Sequence, residues 1–184
     1  MWNRSFQEMG IPPGYGFKQL LFSPAANTLV VQTQSAGKNW RPERLYFRHI
    51  ESDKYKSVGQ PADLISQDFP FVHPSKPLLA YNSLKHSFSV DAQGEERHGG
   101  DWDSVNLYNL ESGVEVESIN RETLTLPPGI VRGWISTLVA FSDSGLFVQA
   151  GFSKEGSRMD YVVAELDLTR HILKPIVSLP ATFI

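Results

Sequence analysis

The chain has no cysteine among its 184 residues. This absence excludes disulfide frameworks, thiolate nucleophiles and cysteine-ligated zinc sites. Basic runs are missing too: 17 basic and 20 acidic side chains are mixed along the chain and give a net charge of −3. Because a general nucleic-acid binder needs a concentrated basic face to displace counterions, the composition indicates no nucleic-acid partner.

Long apolar stretches are also lacking. No segment approaches the ~20 consecutive apolar residues that a membrane-spanning helix needs. Residues 1–8 do not contain the apolar core of a secretory signal. A secreted protein whose signal has been removed would look similar, but the initiating Met1 favours the cytoplasm. We therefore expect a cytoplasmic protein without a membrane partner.

Helical periodicity with caps is absent, and a repeat of β-hairpins is present instead. Three stretches each contain a β-rich run, a tight polar turn and a second β-rich run, and a further hairpin follows each stretch. Four strands occurring three times predict an all-β chain of antiparallel four-stranded blades in a partial or open β-propeller, forming a single domain. The blades are expected at about residues 17–60, 65–120 and 130–180. A β-sandwich is the alternative, since short strands with regular turns suit both folds.

The turn sequences resemble those of known propeller families. Phe22-Ser23-Pro24 and Phe141-Ser142-Asp143 are similar to the Ser-Pro-Asp-Gly turn of TolB-like, dipeptidyl-peptidase and WD-repeat propellers, and His73-Pro74 resembles a common variant. The turn at residues 109–113, Asn-Leu-Glu-Ser-Gly, fits the second hairpin of the same families. The resemblance extends over nearly the whole chain from residue 17 and implies a blade rather than an activity.

Two features depart from those families. The Trp102-Asp103 pair precedes the third predicted strand of its unit, whereas the Trp-Asp pair of a WD repeat ends a strand. Three blades are also too few to close a ring. The resemblance therefore implies an open propeller, a partner that completes the ring, or self-association into a six-bladed whole, because exposed strand edges favour pairing. The apolar segment at residues 176–184 either forms such a contact or folds back onto the third unit.

No catalytic arrangement stands out. Ser153 lies in a Gly-containing segment without the Gly-x-Ser-x-Gly spacing, and Ser35 and Lys38 lie in a loop rather than on a helix turn. The five histidines stand singly, without zinc-site spacing. The acidic loop at residues 91–103 offers carboxylates to a cation but lacks the alternation of a calcium loop. We expect a protein that is not an enzyme and that has no cofactor or metal.

Loop length indicates where a partner binds. The predicted connections between second and third strands are long, at residues 34–43, 84–103 and 152–158, and binding residues concentrate in long loops on rigid scaffolds. Trp and Arg are enriched at interface hot spots. Alternatively, the two loop tryptophans fold back as anchors over blade edges. The candidate partner-binding residues are Lys38, Trp40, Arg41, His98, Asp101, Trp102, Phe152, Lys154 and Arg158.

These features predict a non-catalytic protein-binding module, such as a toxin-neutralising immunity protein or an assembly adaptor of bacterial type. Its mildly acidic character would speed association with a basic partner. A small-ligand-binding propeller is one alternative, and it requires polar residues converging on the innermost strands. A propeller-type hydrolase is another, and it requires inward carboxylates or a metal cage. The predicted innermost strands are mostly apolar and carry no carboxylate.

Overall fold

The computed structural model describes residues 10–36, 41–90, 93, 96–142, 144–156 and 158–179, with the backbone alone at residues 96–98. No helix occurs in these ranges, so none there could cross a membrane. The strands are β1 Tyr15–Ser23, β2 Thr28–Ser35, β3 Arg44–His49, β4 Lys56–Ser57, β5 Ile65–Val72, β6 Leu78–Val90, β7 Glu96–Asn109, β8 Val114–Asn120, β9 Arg132–Phe141, β10 Gly145–Ser153, β11 Asp160–Asp167 and β12 Ile172–Ser178.

The strands form three four-stranded antiparallel sheets with orders β1-β2-β3-β4, β5-β6-β7-β8 and β9-β10-β11-β12. We call them the first, middle and last sheets. The predicted all-β fold of three blade-like units is confirmed, and the described chain has three sheets rather than the two of a sandwich. Pro175 lies in β12 at the edge of the last sheet, where its missing N–H breaks no ladder.

Local sequence explains the hairpin turns. Asn109 accepts hydrogen bonds at Oδ1 from the backbone N–H groups of Glu111 and Ser112, and Gly113 follows with a φ of 71°. Asp167 does the same for two N–H groups in the β11–β12 turn, and His171 takes the left-handed position with a φ of 56°. Asn and Asp favour turns because their short side chains mimic a backbone acceptor.

The middle sheet has both faces covered. On one side, Val30 and Phe47 of the first sheet pack with Leu79 and Tyr81 of the middle sheet. On the other side, the alternating residues of β10 pack against the middle sheet in a second cluster that contains Val105, Ile119, Leu146, Val148 and Ala150. Since alternate residues of a strand share a face, one face of the first sheet and one face of the last sheet have no other sheet of the described residues against them.

Two predicted boundaries are wrong. The supposed loop at residues 84–103 is mostly a two-stranded extension, because β6 continues to Val90 and β7 starts at Glu96. Trp102 therefore lies inside β7, where it pairs with Leu84 across the ladder. The innermost strand of the middle sheet starts at Ile65, so β5 includes Asp68 and carries a carboxylate that the sequence reasoning did not place there.

The three sheets lie with corresponding ends together. Arg44, at the start of β3, donates to the carbonyl of Ile65 at the start of β5. At the other end, the ring of His73 lies 4.7 Å from the ring of Phe141. We call the end that carries the β2–β3, β6–β7 and β10–β11 connections and the links between sheets the long-loop face. The opposite end is the turn face.

Candidate functional site

The long-loop face carries a groove of about 920 Å³ between the middle and last sheets. Its apolar lining includes Trp102, Leu126, Trp134 and Ile135. A pocket on the turn face, lined in part by His73, has about 520 Å³. The larger cavity therefore lies on the face with the longer connections, and a concave apolar surface with a few polar groups is typical of binding sites.

Strand pairing and a glycine determine the positions of Trp102 and Trp134. A register shift between Ser83 and Leu84 precedes the Leu84–Trp102 pair. Gly151 faces Trp134 across the β9–β10 ladder, and a Cβ at Gly151 would lie 2.8 Å from the Trp134 ring. The absence of a side chain at Gly151 thus makes room for this ring, which also meets Tyr161 edge-on with 6.1 Å between centroids.

The indole of Trp102 has an unused hydrogen-bond donor. The side chain is 5% exposed, and its buried Nε1 has no acceptor among the described residues. A buried donor without a partner costs ~1–3 kcal/mol. A bound molecule that brought an acceptor to this nitrogen would remove that cost.

The charged groups of the groove leave an excess of positive charge. Arg121 pairs with Asp101, and both side chains are at least half exposed. Arg132 is exposed, and no ion pair joins it to any other described side chain. The sequence did not identify three groove residues as candidates for partner binding: Arg121 in the link before β9, and Arg132 and Trp134 in β9. The signal was available, since Arg-Gly-Trp at residues 132–134 lies two residues after the Pro-Pro-Gly link at 127–129 and contains both hot-spot residue types.

A second polar cluster joins the first and middle sheets near the long-loop face. Lys18 Nζ lies 2.5 Å from Glu43 Oε2 and 3.0 Å from Asp68 Oδ1. Gln32 Nε2 donates to the same two oxygens, at 2.6 and 2.8 Å. We call Lys18, Gln32, Glu43 and Asp68 the charge cluster. It places polar groups on innermost strands β1 and β5, so the prediction that those strands carry no carboxylate is wrong.

The two carboxyl groups of the charge cluster have pKa values shifted in opposite directions. Burial and the neighbouring Asp68 together raise the pKa of Glu43 to about 7, and the hydrogen bond from Lys18 opposes this rise only in part. Burial alone would raise the pKa of Asp68, but hydrogen bonds from Glu43 and Lys18 hold it below its ordinary value. The pKa of Lys18 is raised, although burial opposes this, because both carboxyl groups accept its hydrogen bonds. Of the two carboxyl groups, Glu43 is therefore the one that takes up a proton first as the pH falls.

Backbone strain accompanies the charge cluster. The ladder between β5 and β6 shifts between Asp68 and Phe71, and Phe69 takes a φ of 48°. An aromatic residue in the left-handed region costs roughly 1–3 kcal/mol and persists where its surroundings hold it. Asp68 Oδ1 accepts a hydrogen bond from the Phe69 N–H at 3.1 Å, so the cluster and the bulge support each other.

The described candidates occupy different surroundings. Trp102 and Phe152 are buried in the core between the middle and last sheets, at 5% and 4% exposure, and both lie inside strands, β7 and β10, rather than in loops. Arg41 Nη1 donates to the Pro13 carbonyl at 3.0 Å, and its guanidinium lies 5.7 Å from the Tyr15 ring centroid. Arg41 therefore holds the segment before β1 against the loop.

The remaining candidates lie at the surface or outside the described residues. Asp101 lines the groove, and Lys154 and Arg158 are exposed in the β10–β11 connection. Lys38 and Trp40 fall outside the described residues, as does the side chain of His98, whose backbone lies in β7. The structure thus brings Asp101 and Trp102 together in one groove and leaves Arg41 near the first sheet.

No group of three or more His, Asp or Glu within the described side chains is arranged to hold a metal ion. In the acidic loop, Asp101 pairs with Arg121. Asp91, Glu95 and the side chain of Glu96 lie outside the described residues.

No protein-family model, no curated protein and no solved structure matches this chain. The function proposed below therefore depends on the geometry of the groove and the charge cluster.

Proposed function

We propose that this chain is a non-catalytic binding module whose sheets are blades of an incomplete propeller, and that it holds another protein in the groove of the long-loop face. The observation that carries the proposal is the groove itself, with its apolar lining, an exposed Arg132 and the unpaired Nε1 of Trp102. Aromatic and arginine side chains in a concave, partly desolvated surface are the usual anchors of protein interfaces.

The chemistry of the groove favours an acidic or acceptor-rich segment of the partner. Arg132 attracts a carboxylate, and Trp102 Nε1 needs an acceptor such as a backbone carbonyl or a carboxylate oxygen. A cavity of about 920 Å³ has room for a few residues of an extended segment. The segment expected here is acidic, although the net charge of the whole chain suggested a basic partner.

A module of this kind acts by occupying its partner, as a toxin-neutralising immunity protein or an assembly adaptor does. The absence of cysteine and the mixed, mildly acidic composition suit a bacterial cytoplasmic location. Both the role and the location are parts of the proposal.

The test begins with the partner that co-purifies with the full chain from cells, identified by mass spectrometry and then prepared separately. Arg132→Glu and Leu126→Ala, both in the groove lining, should each weaken its binding about 30-fold or more, the equivalent of a ~2 kcal/mol hot spot. Lys76→Glu, an exposed charge reversal on the turn face, is the control and should bind normally. A partner whose affinity falls with Lys76→Glu but not with the two groove variants would contradict the proposal.

The charge cluster supports a second candidate function, the binding of a small polar ligand near the innermost strands. Lys18 is about one-third exposed, so a ligand carboxylate could replace one of its two partners. A panel of small carboxylates, tested for thermal stabilisation of the protein, would separate the two candidates. Stabilisation that Lys18→Gln abolishes and Arg132→Glu retains would favour the second candidate.

A further inference from the structure

The first sheet exposes an apolar face on its innermost strand. Val31 and Tyr46 lie on the face turned away from the middle sheet, where they pack with Ile11. Register places Leu20 beside Val31, and alternation places Phe22 on the same face. Phe17 joins them because a bulge between Phe17 and Gln19 pairs Phe17 with Thr33, which shares the face of Val31. Phe17, Leu20 and Phe22 are 51%, 50% and 48% exposed. We call this surface the first free face.

The last sheet also has an uncovered face. In β10, Val148 and Ala150 face the middle sheet, so their neighbours Phe147 and Gln149 face away. Register places Thr137 of β9 and Val163 of β11 beside Gln149 on that side. We call this surface the second free face. Ile176 and Val177, at the end of β12, are 57% and 54% exposed, and residues 180–184 lie outside the described part of the chain.

The two junctions inside the chain show how such faces are covered. Each sheet has a forward face, which packs on the sheet that follows it in the chain, and a backward face, which packs on the sheet that precedes it. At each junction the forward face of one sheet packs on the backward face of the next. Contacts join innermost strands β1, β5 and β9 in that order. The second free face is the forward face of the last sheet, and the first free face is the backward face of the first sheet. They are therefore the two halves of one further junction of the same type.

We propose that two copies of this chain associate head to tail, with the second free face of each copy packed on the first free face of the other, to form a closed ring of six sheets. A two-fold axis satisfies both junctions at once and leaves no sheet face uncovered. A trimer or a longer head-to-tail assembly would repeat the same junction, but two is the smallest number of copies that closes a ring.

Charge and area agree with this arrangement. Arg48 on β3 lies on the first free face and Glu165 on β11 lies on the second, so the third strands of the two faces carry opposite charges. Lys174 of β12 lies beside Glu165 on the second free face. A face of three to four strands about 8 residues long covers roughly 400–500 Å² by strand geometry. Two junctions then bury four faces, roughly 1,800 Å², which lies within the range of stable protein–protein interfaces.

The first experiment measures the mass of the full chain in solution by light scattering and by sedimentation. We expect twice the chain mass of 20.6 kDa. Leu20→Glu, on the first free face, should yield a folded monomer. The control is Val116→Glu, the same kind of change at a residue that is 51% exposed on outermost strand β8 of the middle sheet, and it should remain a dimer.

A second experiment tests the head-to-tail arrangement. Thr137→Arg, on the second free face, should also give a monomer. A mixture of the Leu20→Glu and Thr137→Arg chains should restore the dimer, because one junction is then unaltered and the other brings Glu and Arg to the same interface. A monomeric parent chain, a dimer that persists in Leu20→Glu, dissociation by Val116→Glu to the same extent, or a mixture that stays monomeric would each overturn the proposal.

Discussion

Replacing Glu43 with Gln should remove a pH dependence of stability that originates in the charge cluster. In the folded protein the pKa of Glu43 is raised to about 7, mainly by burial and by neighbouring Asp68. Between the ordinary pKa of this carboxyl and about 7, the folded state therefore binds more protons than the unfolded state. Stability should then fall as the pH rises through this interval. Gln is a neutral amide and mimics the protonated acid, since its NH₂ group donates to Asp68.

The magnitude follows from the size of the pKa shift. A change of the pKa from 4.5 to about 7 corresponds to at most roughly 3–4 kcal/mol at about 1.4 kcal/mol per unit. The side chain is 23% exposed, so screening by solvent reduces the effect to ~1–2 kcal/mol. For a chain of this length, that corresponds to a Tm change of about 2–8 °C.

The other groups with shifted pKa values either titrate outside this pH interval or contribute equally to the parent protein and to Glu43→Gln. The lowered pKa of Asp68 contributes stability that is lost as the pH falls through its folded value, below 3.8. The raised pKa of Lys18 contributes stability that is lost above 10.5. The pKa of His73 is lowered by burial and by Lys76, so its contribution rises with pH, but it is the same in the parent protein and in Glu43→Gln.

The assay is the Tm of both proteins from about pH 5 to about pH 8 at constant ionic strength. The parent should lose stability relative to Glu43→Gln as the pH rises, and Glu155→Gln, at an exposed acid of the β10–β11 connection, should follow the parent. If the difference between parent and Glu43→Gln stays constant across this interval, or if the parent gains stability relative to the variant, the protonation assigned to Glu43 is wrong.

Three further substitutions test other parts of the structure. Trp102→Phe removes the unpaired Nε1 together with part of a buried ring, so the lost donor should offset part of the cavity cost and leave a net destabilisation of ~1–2 kcal/mol. Partner binding should weaken, and unchanged binding would contradict the role given to Nε1. Gly145→Ala should destabilise by ~3 kcal/mol or more in urea unfolding, because the new Cβ would meet the backbone carbonyl of Leu166, and a variant of parental stability would refute that packing. Arg41→Ala removes the contacts to Pro13 and Tyr15, so it should lower the free energy of unfolding by ~1 kcal/mol and speed proteolysis within residues 10–15. An unchanged rate of cleavage would contradict the anchoring role of Arg41.

The hairpins could be predicted because their signals are local. Tight polar turns such as those at residues 109–113 and 169–170 satisfy their own backbone groups, so a few residues determine where each strand ends. The extension of β6 and β7 was missed because residues 96–101 are polar or glycine-rich and the apolar residues at 85–90 are limited to Phe88 and Val90. Two alternating residues are a short signal for a strand, and both are exposed on this two-stranded ribbon.

The sites could be predicted only in part. Long connections and the Trp and Arg content pointed to the end of the sheets that carries the larger groove, and Asp101 and Trp102 line that groove. The burial of Phe152 was missed because it was assigned to a loop, whereas it lies in β10 with its side chain in the core. The contribution of Trp134 depends on the space above Gly151, which becomes apparent only when the two strands are paired.

The sequence alone therefore determined the all-β class, the three repeated units and the turns, because each depends on residues within a few positions of one another. The packing of one sheet on the next was decided by the tertiary structure. Lys18, Glu43 and Asp68 lie 25 residues or more apart along the chain, and their pairing exists because the first sheet packs on the middle one. The raised pKa of Glu43 likewise requires burial and a neighbouring carboxylate, and neither is encoded in the residues adjacent to it.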